Sequence, residues 1–176
     1  MKSGLDQLSK YAEYHRDRRN IATHLVGVPM IMFAVIVLLS RPSFEVSDLA
    51  LNPAWVVLVV AGLYYLLLDL GLGVTLTVII AAMTWVAAQI ATMSTGAWLA
   101  TGIGMFVVGW IIQFIGHYYE GRKPAFVDDL IGLMIGPLFV WAEIVFAAGL
   151  RQGLLKAIEA RVGPTQIRDM THKAVT

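Results

Sequence analysis

Residues 53–92 form a stretch of 40 with one charged side chain, Asp69. A helix crossing the ~30 Å hydrocarbon core of a bilayer uses about 20 apolar residues. The block is therefore too long for one crossing and predicts two. The break belongs at "LDLGLG", residues 68–73, because Asp69 is costly in hydrocarbon and Gly71 and Gly73 permit a tight turn. Two more runs of crossing length flank the block, at 21–40 and at 97–116. A fifth, 130–150, is interrupted by Pro137 and Glu143.

The composition agrees. Hydrophobic residues make up 58% of the chain and charged residues 14%, against about 45–50% and roughly 25% in soluble domains. The net charge of +1 leaves no electrostatic footprint for nucleic acid. With no cysteine, disulfides, thiolate metal sites and cysteine nucleophiles are excluded. The first twenty residues are polar, so no cleaved signal peptide is expected.

Lysine and arginine set the expected orientation. Residues 1–24 and 151–176 carry five each, the loop 117–129 two, the loop 41–52 one and the turn 93–97 none. Both termini are thus expected in the cytoplasm, which requires an even number of crossings; the membrane is expected to be a bacterial inner membrane, or the endoplasmic reticulum in a eukaryote. Pro137 would divide the fifth run into pieces of seven and fourteen residues. At ~1.5 Å per residue neither reaches ~30 Å. The expected fold is all-α, a polytopic membrane helical bundle in one domain. It has a cytoplasmic N-terminal helix (1–20) and a bundle (21–150) of four transmembrane helices. A broken re-entrant segment, or alternatively a fifth membrane helix, completes the bundle. The tail (151–176) starts as an amphipathic helix, "RQGLLKAIEARVG", and Gly163-Pro164 ends it.

This topology gathers polar residues at one membrane face: His15, His24, Asp69, His117, Glu120, Asp128 and Asp129. His117 and Glu120 are three apart, a spacing that recurs in metal ligands and the groups that orient them. Gln113 precedes His117 by four, on the same face. Tyr11 and His15, and Asn20 and His24, are each four apart. His15 and His24 differ by nine, so on one straight helix they would face opposite ways; "RDRRN" is the expected corner that lets them converge. Neutral imidazoles with a carboxylate suit non-haem iron, and zinc is also chemically allowed. The plainer reading of each residue is an ordinary polar group at a helix end. His172, in the polar tail, is a further candidate ligand. Gln89 and Gln113 read as interhelical hydrogen bonds, and Gly132 and Gly136 as a close-packing pair.

Three segments together resemble the Mpo1-like family of membrane proteins: "YAEYHRDRRNIATHLVGVP", "WIIQFIGHYYEGRKPAF" and "GPLFVWAE". The resemblance covers nearly the whole chain. It implies an iron(II)-dependent dioxygenase that shortens a 2-hydroxy fatty acid by one carbon, consuming dioxygen at the bilayer. His15, His24 and His117 are then the expected ligands of Fe2+. Glu120 is a fourth ligand or an orienting group, and Asn20 supports a ligand. Arg19, or Arg18, Arg122 or Lys123, steers the substrate carboxylate. A homo-oligomer is compatible with the pattern.

Other readings stay open on the residues alone. A small transporter or scaffold would use Asp69 and Glu143 as proton or ion sites, and a zinc-dependent lipid hydrolase would use the same histidines. Four histidines without a His-x-x-His-His cluster argue against a di-iron desaturase.

Overall fold

The computed structural model describes residues 3–46, 49–125 and 131–170. Seven helices follow in order among them: α1 Gly4–Ala12, α2 Arg18–Leu39, α3 Pro53–Leu68, α4 Leu70–Ala91, α5 Thr95–Glu120, α6 Ile131–Ala147 and α7 Gln152–Val162. One hairpin lies between α2 and α3. Its strands β1 Phe44–Val46 and β2 Leu49–Leu51 pair antiparallel, Phe44 opposite Leu51. The fold is all-helical in the expected sense. The chain divides into two compact units, residues 27–110 and residues 1–26 with 111–176.

In the first of these units α3 and α4 form an antiparallel pair: Gly62 meets Thr77 while Gly73 meets the Tyr65 backbone. Their other faces are exposed and apolar, with Val56, Val59, Val60, Leu63 and Leu67 on α3 and Val74, Val78 and Trp85 on α4. A helix facing hydrocarbon presents such a surface, because lipid tails impose no cost on it. At the end of α2 the Trp98 indole donates to the Val37 carbonyl at 2.7 Å, and the Arg41 guanidinium lies over the Trp98 ring.

In the other unit a capping box starts α1. Ser3 Oγ accepts from the Asp6 amide, and the Asp6 carboxylate accepts from the Ser3 amide. One face of α1, with Leu8, Tyr11 and Ala12, is buried, and α1 packs on α6 and α7. Phe139 and Leu138 of α6 and Ile158 of α7 are among the best-buried side chains.

Four expectations need correction. The break after Leu68 is not made by glycine. Asp69 alone is extended (φ −156°, ψ 118°), and its carboxylate caps α4 by accepting from the Leu72 amide; Gly71 and Gly73 are already helical. The 40-residue block divides unequally. α2, α4 and α5 are long and apolar enough to cross a membrane, whereas the 16 residues of α3 reach only ~24 Å at ~1.5 Å each. Pro137 does not break the fifth run, for α6 continues through it. The missing amide costs one hydrogen bond, and the packing of Ile135, Leu138 and Phe139 outweighs it. The chain turns instead after Ala147, where Gly149 (φ 79°) and Arg151 (φ 52°) take left-handed conformations and α7 leaves α6 at 117°. The corner near the N-terminus falls at 13–17, three residues earlier than "RDRRN", because Arg18, Arg19 and Asn20 already belong to α2.

Candidate metal centre

The corner between α1 and α2 brings the histidines together. Three-residue-back bonds from Tyr14 to Tyr11 and from His15 to Ala12 tighten the end of α1. Asp17 then starts α2. Its carbonyl accepts the Ile21 amide, and its carboxylate accepts the Arg19 amide at 2.8 Å, the geometry of an N-cap. His15 thus stands on the connector and His24 on the second turn of α2. The helix phase that would have separated them does not apply.

Glu120 fixes this corner from the last residue of α5. Its carboxylate accepts from the Arg16 amide at 3.0 and 3.1 Å, from the Asp17 amide at 2.9 Å and from Asn20 Nδ2 at 2.9 Å. α5 also approaches α2 closely. A Cβ at Gly116 would collide with Thr23 Oγ1 and Asn20 Oδ1. Only glycine leaves room for that approach, which sets His117 beside His24.

His15, His24 and His117 are all buried, and their ligand atoms lie within 4.8 Å of one another. The ring centroids are 4.5, 5.2 and 5.0 Å apart, with planes crossed at 67–84°. Tyr11 stacks on the outer face of His15 at 4.2 Å with the planes 6° apart, and Phe139 leans on both rings.

The protons can be assigned by elimination. Nδ1 of His15 is 2.8 Å from the Tyr11 carbonyl, and Nδ1 of His24 is 2.9 Å from the Asn20 carbonyl. A carbonyl only accepts, so both Nδ1 atoms carry hydrogen. In neutral rings both Nε2 atoms are then bare lone pairs, and they face each other at 3.0 Å. Two lone pairs at that distance repel unless a cation lies between or beside them. A proton is one such cation, but burial, followed by the neighbouring His24 ring, holds His15 well below the usual imidazole range. A metal ion is the other. Two imidazole nitrogens converging this closely would suit shared coordination of one divalent ion. The His117 Nδ1 atom is also buried and makes no hydrogen bond among the described residues. The donor set fits a divalent transition metal held by three neutral imidazoles.

The match to known sequences covers the same residues. A family model described as "2-hydroxy-palmitic acid dioxygenase Mpo1-like" matches residues 1–148, which hold all three histidines and Glu120. The chain belongs to the Mpo1-like family. A relative from Saccharomyces cerevisiae, named 2-hydroxy-palmitic acid dioxygenase MPO1, is 30% identical over 155 residues, 87% of this chain and 86% of the relative. No solved structure matches.

The other expected residues of this Mpo1-like chain are placed as follows. Asn20 is buried on α2 between Glu120 and the Tyr14 carbonyl, and its main-chain carbonyl holds His24. Glu120 faces the main chain of the corner with both oxygens, so its carboxylate is directed to amides. The Arg19 guanidinium grips the Asp17 carboxylate at 2.7 and 3.0 Å, donates to the Arg168 carbonyl and stacks over Tyr119. Arg122 donates to the Glu13 carbonyl. Arg18 and Lys123 are exposed. Glu143, on α6, lies within electrostatic reach of Arg16. Asp69 belongs to the other unit, and Asp128, Asp129 and His172 lie outside the described residues.

Two features were not foreseen. Asp17 is buried, and hydrogen bonding to Arg19 holds its carboxyl at about 2. A "D" just before "RRNIATHL" is a readable N-cap signal. The second is a strap formed by residues 163–168. Gln166 bonds by its main chain to the Arg16 carbonyl and the Arg18 amide, each at 2.9 Å. The Arg168 amide donates to Asp17 at 2.8 Å, and Arg16 donates to the Gly163 carbonyl at 2.8 Å. Main-chain pairing of this kind leaves no side-chain pattern to read.

Proposed function

We propose that the chain is a non-haem iron dioxygenase that shortens 2-hydroxy fatty acids by one carbon. The opposed Nε2 lone pairs of His15 and His24 carry this reading, in a chain whose family and yeast relative are named for a 2-hydroxy-palmitic acid dioxygenase. His15, His24 and His117 would hold the ion. Bound there, iron(II) would supply the redox capacity to reduce dioxygen, which zinc lacks.

The balance is complete without an organic cofactor. A 2-hydroxy acid and dioxygen give the acid one carbon shorter, carbon dioxide and water. The bond between the carboxyl carbon and the hydroxyl-bearing carbon breaks. The substrate loses four electrons and dioxygen accepts four.

The protein's own residues prepare the site. The Tyr11 and Asn20 carbonyls fix the tautomers and aim both Nε2 atoms inward. Glu120 holds the corner that carries His15. Tyr11 and Phe139 wall the His15 ring from water. The exposed cations Arg18, Arg122 and Lys123 favour approach of an anionic head group. The lysine and arginine distribution supports a cytoplasmic position for this face and both termini, with the apolar helix faces toward lipid.

The test is metal analysis of anaerobically purified protein, then oxygen uptake with 2-hydroxypalmitate. One iron per chain, and one dioxygen consumed per pentadecanoate formed, is expected. Tightly held zinc, or no oxygen uptake by the iron-loaded protein, rejects the reading.

A further inference from the structure

Gln113 lies on the same face of α5 as His117, one turn earlier. The first turns of α2 meet the last turns of α5: Asn20 bonds Glu120, and Gly116 rests against Asn20 and Thr23. The two helices therefore run antiparallel there. Stepping back from Gly116 to Gln113 on α5 matches a step forward from Asn20 toward His24 on α2. Gln113 thus sits level with His24. It is 6% exposed, and its amide oxygen Oε1 is fully buried with no hydrogen-bond partner among the described residues.

A buried amide oxygen without a donor is costly, about 1–3 kcal/mol by mutational measures. The neighbouring polar groups do not relieve it. Asn20 Nδ2 is committed to Glu120 and the Tyr14 carbonyl. The Thr23 hydroxyl donates to the Asn20 carbonyl, and the His24 Nδ1 hydrogen is directed at that same carbonyl. What Oε1 lacks is a hydrogen donor arriving beside the histidines. The carboxylate of a fatty acid at neutral pH offers none. A hydroxyl on the adjacent carbon does.

We infer that Gln113 accepts a hydrogen bond from the 2-hydroxyl of the substrate and so selects 2-hydroxy acids over unsubstituted fatty acids. The inference rests on the reading of the chain as a 2-hydroxy fatty acid enzyme, and it names the residue that recognises the group giving that class its name. A site that offers a buried acceptor to a substrate hydroxyl penalises the analogue lacking it, because the acceptor then stays unpaired.

The experiment is equilibrium binding to metal-loaded protein in detergent without oxygen, read by displacement of a fluorescent fatty acid. 2-Hydroxypalmitate and palmitate are compared on the natural chain, Gln113→Leu and Gln113→Met. Both replacements are apolar and of similar length, so at least one is expected to fold. The natural chain should bind the hydroxy acid about tenfold more tightly or better. Both variants should lose that ratio while keeping their metal content and palmitate affinity. An unchanged ratio in a folded variant, or no preference in the natural chain, overturns the inference. Oxygen uptake is measured separately. Absent uptake with the binding preference intact, and lost in the variants, rejects the dioxygenase reading and leaves the recognition by Gln113 standing.

Discussion

Glu120 reaches back 104 residues to hold Arg16: its carboxylate accepts that main-chain amide with both oxygens, then the Asp17 amide and the Asn20 side chain. The corner that carries His15 is thus pinned by the same helix that carries His117. The clamp and a candidate ligand come from one element, so a change at Glu120 is expected to be felt at the candidate metal centre without touching it.

Replacing Glu120 by glutamine keeps the shape but sets an N–H group against main-chain N–H donors. Metal affinity should fall about 10- to 100-fold, the range found when supporting groups around ligands are lost. Glu120→Ala should cost in addition about 2–4 kcal/mol of stability, because several donors lose a charged acceptor. Metal titration with thermal unfolding in detergent checks both, and unchanged affinity in Glu120→Gln would show that the clamp is irrelevant to the site.

Removing a single ligand should empty the site. His24→Ala or His117→Ala is expected to lower bound metal from about one ion per chain to nearly none. Helical content should be retained, since the rings are buried by packing that does not need the ion. Elemental analysis beside circular dichroism reads the outcome. Metal retained by His117→Ala at the natural level would remove that residue from the ligand set.

Gly116→Ala places a methyl group against Thr23 and Asn20, whereas a Cβ at Gly104, on the same helix, meets nothing within 4 Å. The first change should cost about 1–3 kcal/mol as overpacking and displace His117 from His24. Gly104→Ala should be neutral or gain up to about 1 kcal/mol in helix propensity. Equal stability of the two variants would contradict the packing of α5 on α2.

Hydrogen bonding to Arg161, then to Ser3, lowers the Asp6 carboxyl to about 2. A carboxyl lower in the folded chain than its ordinary ~3.9 contributes stability above that value. The contribution is lost as pH falls through about 2. Arg161→Ala should return Asp6 toward the ordinary value, seen as an upward shift in its carboxyl carbon titration by nuclear magnetic resonance. An unmoved titration would mean that the 2.8 Å contact between α1 and α7 does not persist in solution.

The helices were legible because hydrocarbon imposes a simple demand, a long apolar run with its backbone satisfied internally. The clustering of the three histidines was legible and the wiring around them was not. His15, His24 and His117 are read from type and spacing, since imidazoles at the ends of apolar runs are chemically conspicuous. The roles of Arg19 and Glu120 depend on which partner each side chain finds, and sequence distance conceals that. Asp17 intercepts Arg19 two residues away. Pro137 misled because a proline weighs on local propensity, while α6 is held by packing against α1. The strap at Gln166 pairs through main-chain atoms, to which side-chain identity is almost silent.

The spacing of the three histidines has a consequence for biogenesis. A ribosome making about 5–20 residues per second delivers His15 and His24 together and His117 only some seconds later. Until α5 is inserted, the early pair has neither its third ring nor the Glu120 clamp. On the proposed reading, metal insertion is therefore a late event in the life of the nascent chain. A chain stalled or cut before α5 would leave His15 and His24 in the membrane without His117 or the Glu120 clamp.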